Sequence, residues 1–302
     1  MISHSRCFFI VLIAFGMLHI SSSCLGQRER LQAQADSLKQ LAENIAPDTA
    51  KFQVYEALAS VLLGLDEIDS ARRVAERAFL LVARNENPEV RIRGLFLLAA
   101  CLGNYGTRQY EKSLAYAHEG AAIAEEHQLY DLIHDAYSMI LNLYFYSGDF
   151  ARAMEISKKG LEAAEKHRDS RRISQYHNLF GFIYLRQGNY QEAYRYFIIY
   201  SKMSRDHGDS MKVADSYNCL GEVWMARREY QRALALHLRA WQIYRDAHAR
   251  KLTFKVDQLA YTAFMISHAY RMLGDFEKAL RYTEAGFAYN RTIPPNEYDL
   301  VN

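Results

Sequence analysis

From residue 51 to about residue 290, apolar positions recur at i, i+3, i+4 and i+7, the spacing of one helix face, and short polar steps interrupt them at regular intervals. One window, "GFIYLRQGNYQEAYRYF" (181–197), shows the unit: an apolar stripe, a Gly-Asn step and a second apolar stripe. The same register returns in "NLYFYSGDFARAMEI", "EVWMARREYQRALAL" and "HAYRMLGDFEKALRY". A large residue marks the first stripe of each unit (Leu62, Leu102, Tyr144, Tyr184, Trp224, Tyr270). Another opens the second stripe (Ile68, Tyr110, Phe150, Tyr190, Tyr230, Phe276), and a small residue follows three positions later (Ala71, Ser113, Ala153, Ala193, Ala233, Ala279). The small residues are spaced 42, 40, 40, 40 and 46 apart, which gives six copies.

Each copy predicts two amphipathic helices joined by a tight turn. The pairs Gly148-Asp149, Gly188-Asn189 and Gly274-Asp275 suit that turn, because glycine can end a helix in the left-handed conformation and Asp or Asn can cap the next. Repeat five carries Arg228-Glu229 instead, so a less sharply specified turn is expected there. No proline occurs from residue 89 to 293, while Pro47 and Pro88 fall at repeat boundaries. The predicted fold is all-α, an array of about six antiparallel helix pairs near 51–84, 91–127, 133–167, 173–207, 213–248 and 259–290. A lead-in helix (27–50) precedes the 51–293 array, and a tail (294–302) comes after it.

"NLFGFIYLRQGNYQEAYRYF" and "NCLGEVWMARREYQRALALH" resemble tetratricopeptide repeats, whose pattern sets Leu-Gly-x-x-Tyr ahead of Gly-x-Tyr-x-x-Ala. The resemblance covers residues 51 to about 290 and is loosest in repeats one and two, the second holding two extra residues in "GNYGTRQY". The forty-residue period is similar to the long-helix variant of bacterial regulatory sensors and of some peptide-binding adaptors. "DSLKQLAENIAPDTAKFQVYEALAS" is similar to the lead-in of periplasmic repeat regions attached to sensor kinases. The resemblance implies a right-handed superhelical solenoid whose first helices line a concave groove for a protein or peptide segment.

The first 26 residues read differently. "MISHSR" is a short basic start, "CFFIVLIAFGMLHI" an apolar stretch too short to span a bilayer comfortably, and "SSSCLG" a small-residue cleavage region. The expectation is export, to the periplasm, with cleavage before Cys24 or after Gly26. The alternative is a lipoprotein anchored through Cys24, against which Ser21 stands where a lipobox wants an aliphatic residue. The formal net charge of +2 gives no electrostatic footprint for nucleic acid, and no later segment is long and apolar enough to insert in a membrane. Cys101 and Cys219 sit singly in apolar stripes and read as buried small hydrophobes.

The histidines raise the one question of chemistry. His127, His167 and His207 lie forty residues apart, each at the expected end of a second helix. Packed helices are about 8–10 Å apart, whereas two imidazole nitrogens on one zinc must lie within roughly 3.5 Å of each other. The ladder therefore marks the repeat and suits a helix C-terminus, where a cation meets the dipole. "HEGAA" at His118 has Ala122 where a zinc-protease helix needs its second histidine. Phosphate-binding loops, nucleophile elbows and C-x-x-C pairs are absent from the sequence, so neither catalysis nor a metal or cofactor is expected.

At about 100° per residue, first-helix positions that do not face the partner helix form the expected groove. These are Asn142, Phe145 and Tyr146 in repeat three, Asn178 and Phe182 in four, Asn218 and Glu222 in five, and Tyr261, Phe264 and Arg271 in six. Asn178 and Asn218 could hold successive peptide groups of an extended ligand, as the resemblance also implies, or hydrogen-bond between helices. The phenylalanines could receive ligand side chains or pack in the core. The alternative role is the sensor portion of a signalling regulator that lacks its output domain.

Overall fold

A computed structural model describes residues 22–45, 48–103, 109–250 and 257–290. Thirteen α-helices and no strand occur among the described residues: α1 (Ser22–Asn44), α2 (Asp48–Gly64), α3 (Ile68–Val82), α4 (Pro88–Gly103), α5 (Tyr110–Glu126), α6 (Tyr130–Ser147), α7 (Phe150–Lys166), α8 (Ser170–Arg186), α9 (Tyr190–Asp206), α10 (Ser210–Ala226), α11 (Tyr230–Ala249), α12 (Asp257–Met272) and α13 (Phe276–Asn290). The apolar stretch of the expected leader and the tail from residue 294 lie outside the described residues, as does most of the repeat-two insertion. Residues 22–26, which hold both expected cleavage points, form the start of the α1 backbone.

Helices α2 to α13 form six successive hairpins, and α1 packs on α2. Every helix packs on its neighbours in sequence, and the principal next-but-one contacts run between first helices: α2 with α4, α4 with α6, and α8 with α10. First helices therefore make the inner layer of the array, and the core runs along the seams between hairpins. Ile183 of α8, for example, completes the cluster of Ile140, Tyr144, Ala153 and Ile156 from the preceding repeat.

The turns explain how a chain of this length keeps one register. Gly148 takes φ 83° after α6, and the Asp149 carboxylate then accepts a bond from the Arg152 amide at 3.1 Å. Gly274 and Asp275 repeat the device before α13. The turns between repeats use it too: Arg168 (φ 54°) precedes the cap Asp169, and Gly208 (φ 68°) precedes Asp209. In repeat five Arg228 adopts the same left-handed conformation (φ 63°), while Glu229 makes no side-chain cap. The turn keeps its shape without the residues that favour it.

Hairpin spacing is set where a small residue on one helix receives a large one from the other. A methyl group at Gly181 would fall within the fully buried Phe197 ring, and one at Gly221 within the fully buried His237 ring. In the sixth hairpin Ser267 and Thr283 hold the equivalent positions and hydrogen-bond at 2.7 Å. Elsewhere the sizes are exchanged: Gly120 receives Phe96, and Gly286 receives Phe264.

Gly181→Ala should therefore destabilise the array by roughly 1–3 kcal/mol in urea denaturation, because Phe197 has no space to retreat into; a neutral effect would show that the hairpin opens freely. Arg228→Gly should act oppositely and stabilise by about 1 kcal/mol by removing a left-handed non-glycine residue, unless loss of the Arg228 side chain disturbs the neighbouring Arg227 and Arg232 guanidinia, each 4.9 Å from the Trp224 ring centre.

Candidate ligand groove

The expected groove residues belong to first helices, but the structure divides them. Asn218 is 3% exposed and spends its amide inside the array. Its Nδ2 donates to Thr262 Oγ1 at 2.7 Å and its Oδ1 lies 3.0 Å from His237 Nδ1, tying α10 to α11 and α12. Of the two roles the sequence left open for Asn218, these contacts are those of a hydrogen bond between helices. Phe264, in the same register, is also turned inward, its ring against Gly286 and edge-on to Phe287 at 5.3 Å. Asn218 and Phe264 thus face the seam with α11 to α13, where their side chains are used for packing.

Asn178 is half-buried and keeps more of its amide in reserve, its Oδ1 accepting only a long 3.5 Å contact from the Cys219 thiol. Phe182 is half-buried with its ring edge-on to Phe197 at 5.2 Å. Asn142 is half-buried, Tyr146 is 42% exposed and Arg271 is exposed. Phe145 meets Tyr146 and Phe150 edge-to-face at 6.1 and 5.6 Å.

A residue outside the expected set brings these positions together. The Arg186 guanidinium, at the end of α8, stands 5.4 Å from the Phe145 ring centre on α6. Its charge also reaches Glu222 on α10, whose carboxyl accepts a hydrogen bond from the Tyr261 hydroxyl on α12. Burial raises the Glu222 pKa, opposed by the Tyr261 bond and by Arg186, and burial next to that carboxylate drives the Tyr261 hydroxyl well above its ordinary value. Phe145, Tyr146, Arg186, Glu222 and Tyr261 thus make a polar and aromatic strip across four repeats. Arg186 lies forty residues after Tyr146; applying the repeat period to Tyr146 would have found it.

Further along the same layer, Asp131 pairs with Arg172 at 2.7 Å and His134 Nδ1 meets the Tyr176 hydroxyl at 2.6 Å. The ladder histidines sit elsewhere: His167 stacks on Tyr130 at 3.9 Å, and His207 Nε2 lies 3.0 Å from Ser170 Oγ, each closing the open end of its own hairpin. No group of three or more His, Cys, Asp or Glu side chains placed to hold a metal occurs among the described residues.

Residues 134–167 and 213–250 match family profiles for the tetratricopeptide repeat. With six stacked hairpins of this geometry, the chain is a tetratricopeptide-repeat protein. No curated protein sequence matches it. Among solved structures it resembles aspartyl phosphate phosphatase F from Bacillus subtilis, with TM-score 0.59 and 14% identity over 88% of this chain and 70% of that one. It also resembles NprR in complex with its cognate peptide NprX, with TM-score 0.57 and 15% identity over 90% and 76% of the two chains. A third likeness is to a signal transduction ATPase with a tetratricopeptide-repeat sensor, PH0952 from Pyrococcus horikoshii, with TM-score 0.54 and 14% identity over 90% of this chain and 48% of that one. At such identities the likeness is one of fold.

Buried histidines give the array a pH dependence. Burial lowers His134 to about 4, with the Arg172 charge assisting, and lowers His237 to about 3, with His268 assisting; His268 itself falls to about 4 through burial and Arg271. Because these folded-state values lie below the ordinary 6.5, the unfolded chain takes up protons that the folded chain refuses, and stability falls as pH drops from about 6.5 towards 4. Each histidine contributes about 1.4 kcal/mol per pH unit within that window. Asp215 and Glu222, raised by burial, act in the opposite sense, but from near their ordinary values of 3.8 and 4.5. Urea denaturation between about pH 7 and pH 5 should show the loss, with a shallower slope in His237→Gln; a flat profile would contradict the burial of these rings.

Proposed function

We propose that this protein is a non-catalytic scaffold that binds a protein or extended peptide segment along the inner face of repeats three to six. The observation that carries the reading is the strip from Phe145 and Tyr146 through Arg186 to Glu222 and Tyr261, which sets aromatic faces beside a cation and a carboxylate on the inner layer. Aromatic surfaces take ligand side chains, while amide and charged groups fix an extended backbone. Asn178 and Phe182 flank the strip, and Asn142 and Arg271 extend it. The likeness in fold to NprR bound to its cognate peptide supports the same use.

A second reading, as the sensor portion of a signalling regulator, is supported by the likeness to PH0952, in which a repeat sensor is part of a protein about twice as long as the matched region. The two readings share the groove and differ in the consequence of binding. Export to the periplasm, with Cys24 lipidation as the alternative, also belongs to the proposal and rests on residues 1–26; N-terminal sequencing of the processed chain would decide it, and an intact Met1 would count against both.

Peptides selected from a random display library against the wild-type chain should lose about tenfold or more in affinity on Arg186→Ala. Asn178→Ala should cost roughly 1–3 kcal/mol of binding with little change in melting temperature. Asn218→Ala, by contrast, should lower the melting temperature clearly, since it strips His237 and Thr262 of a buried partner. Selected peptides that bind Arg186→Ala and Asn178→Ala as well as wild type would place the site elsewhere.

A further inference from the structure

The last described helix, α13, carries an apolar stripe with nothing described against it. Phe276 is 69% exposed and Leu280 is 60% exposed, and Met272 and Leu273 beside them are 43% and 39% exposed. Repeat register shows what such positions do elsewhere. Phe276 corresponds to Phe150, Tyr190 and Tyr230, and Leu280 to Met154, Tyr194 and Leu234. In the interior of the array the first helix of the next hairpin covers these positions. Phe150 and Met154 pack with Leu179 and Ile183 of α8, Tyr194 meets Trp224 of α10 edge-on at 5.5 Å, and Leu234 packs with Leu259 and Ile266 of α12. The last described hairpin thus presents a helix-binding surface of the kind covered at these three junctions.

We propose that a second copy of this chain covers this surface, the two arrays meeting end to end through antiparallel α13 helices related by a two-fold axis. The charges bordering the stripe favour that occupant. Glu277 and Arg281 lie one turn apart on the same flank of Phe276 and Leu280 and pair at 2.6 Å within the helix. In an antiparallel pair like flanks face each other, so two opposite charges one turn apart are self-complementary: each Glu277 meets Arg281 of the partner subunit, twice across the axis. In a parallel arrangement opposite flanks of the two helices would face each other, so Glu277 and Arg281 would lose this mutual pairing. With four exposed apolar side chains from each copy, the association is expected to be weak, with a dissociation constant on the order of micromolar.

Sedimentation velocity on the full chain tests this. A monomer–dimer equilibrium is expected over roughly 1–100 µM, together with a monomeric Phe276→Glu/Leu280→Glu double variant whose melting temperature is unchanged, since both side chains are exposed. Glu277→Arg alone should also give a monomer, and adding Arg281→Glu should restore the dimer by exchanging the charges. A wild-type chain that stays monomeric across the range would overturn the proposal. If such a chain dimerises only when ended at residue 290, its own last residues cover the stripe. A dimer that survives both apolar substitutions, or one that Glu277→Arg leaves intact, overturns it equally.

Discussion

Close helix approach is the constraint on which the array depends, and it is met by matching small residues with large ones across each hairpin. Gly181 opposite Phe197 and Gly221 opposite His237 let the paired helices come together until a ring fills the space a side chain would have taken. Gly160 does the same between repeats, receiving the Tyr176 ring, whose hydroxyl then reaches His134 on a third helix. Large residues buried this way lose water on every side, and their exclusion from solvent supplies most of the driving force that the helices, short as they are, lack by themselves. The same contacts hold successive hairpins in a single register, so that one position per repeat lies over its equivalent in the next.

That register makes the inner face a continuous surface with a chemistry that no single helix possesses. Side chains one repeat apart reach one another: Asp131 and Arg172, Asn178 and Cys219, Glu222 and Tyr261. Arg186 extends the series across two repeats, from the Phe145 ring to the neighbourhood of Glu222. The part-buried pairs among them, Asn178 with Cys219 and Glu222 with Tyr261, help to fix the relative rotation of neighbouring hairpins, because an unmet partner in such surroundings is costly. The strip is therefore both a seam between repeats and the most chemically varied part of the groove, and a ligand bound there would contact groups already held in place.

The histidines show how one residue type serves different ends in one fold. His167 and His207 of the ladder, at the ends of second helices, lie over the start of their own hairpin, on Tyr130 and Ser170, and stay near the surface. Those in the interior, His134 and His237, are enclosed by neighbouring helices and are kept neutral by burial. His237 takes the position that Phe197 holds one repeat earlier. It adds a hydrogen bond to Asn218 that a phenyl ring could not make, at the expense of acid stability.

Helix existence, hairpin pairing and the forty-residue period were all legible in the sequence, because they arise from apolar spacing and from turn chemistry that acts within a few residues. The left-handed turn at Gly148 and the cap at Asp149 need no distant partner to be recognised. Position around the helix was legible only to within the width of a face. For Asn218 and Phe264 a groove role and a packing role were equally compatible with the spacing, and contacts with α11, α12 and α13 hold their side chains in the seam. Arg228 likewise adopts a left-handed turn that its residue type does not favour, at the place where the third, fourth and sixth hairpins carry glycine. Local sequence thus determined what each segment is, whereas the tertiary structure decided which side chains remain free to meet a ligand, because burial depends on neighbours forty residues away along the chain and one helix away in space.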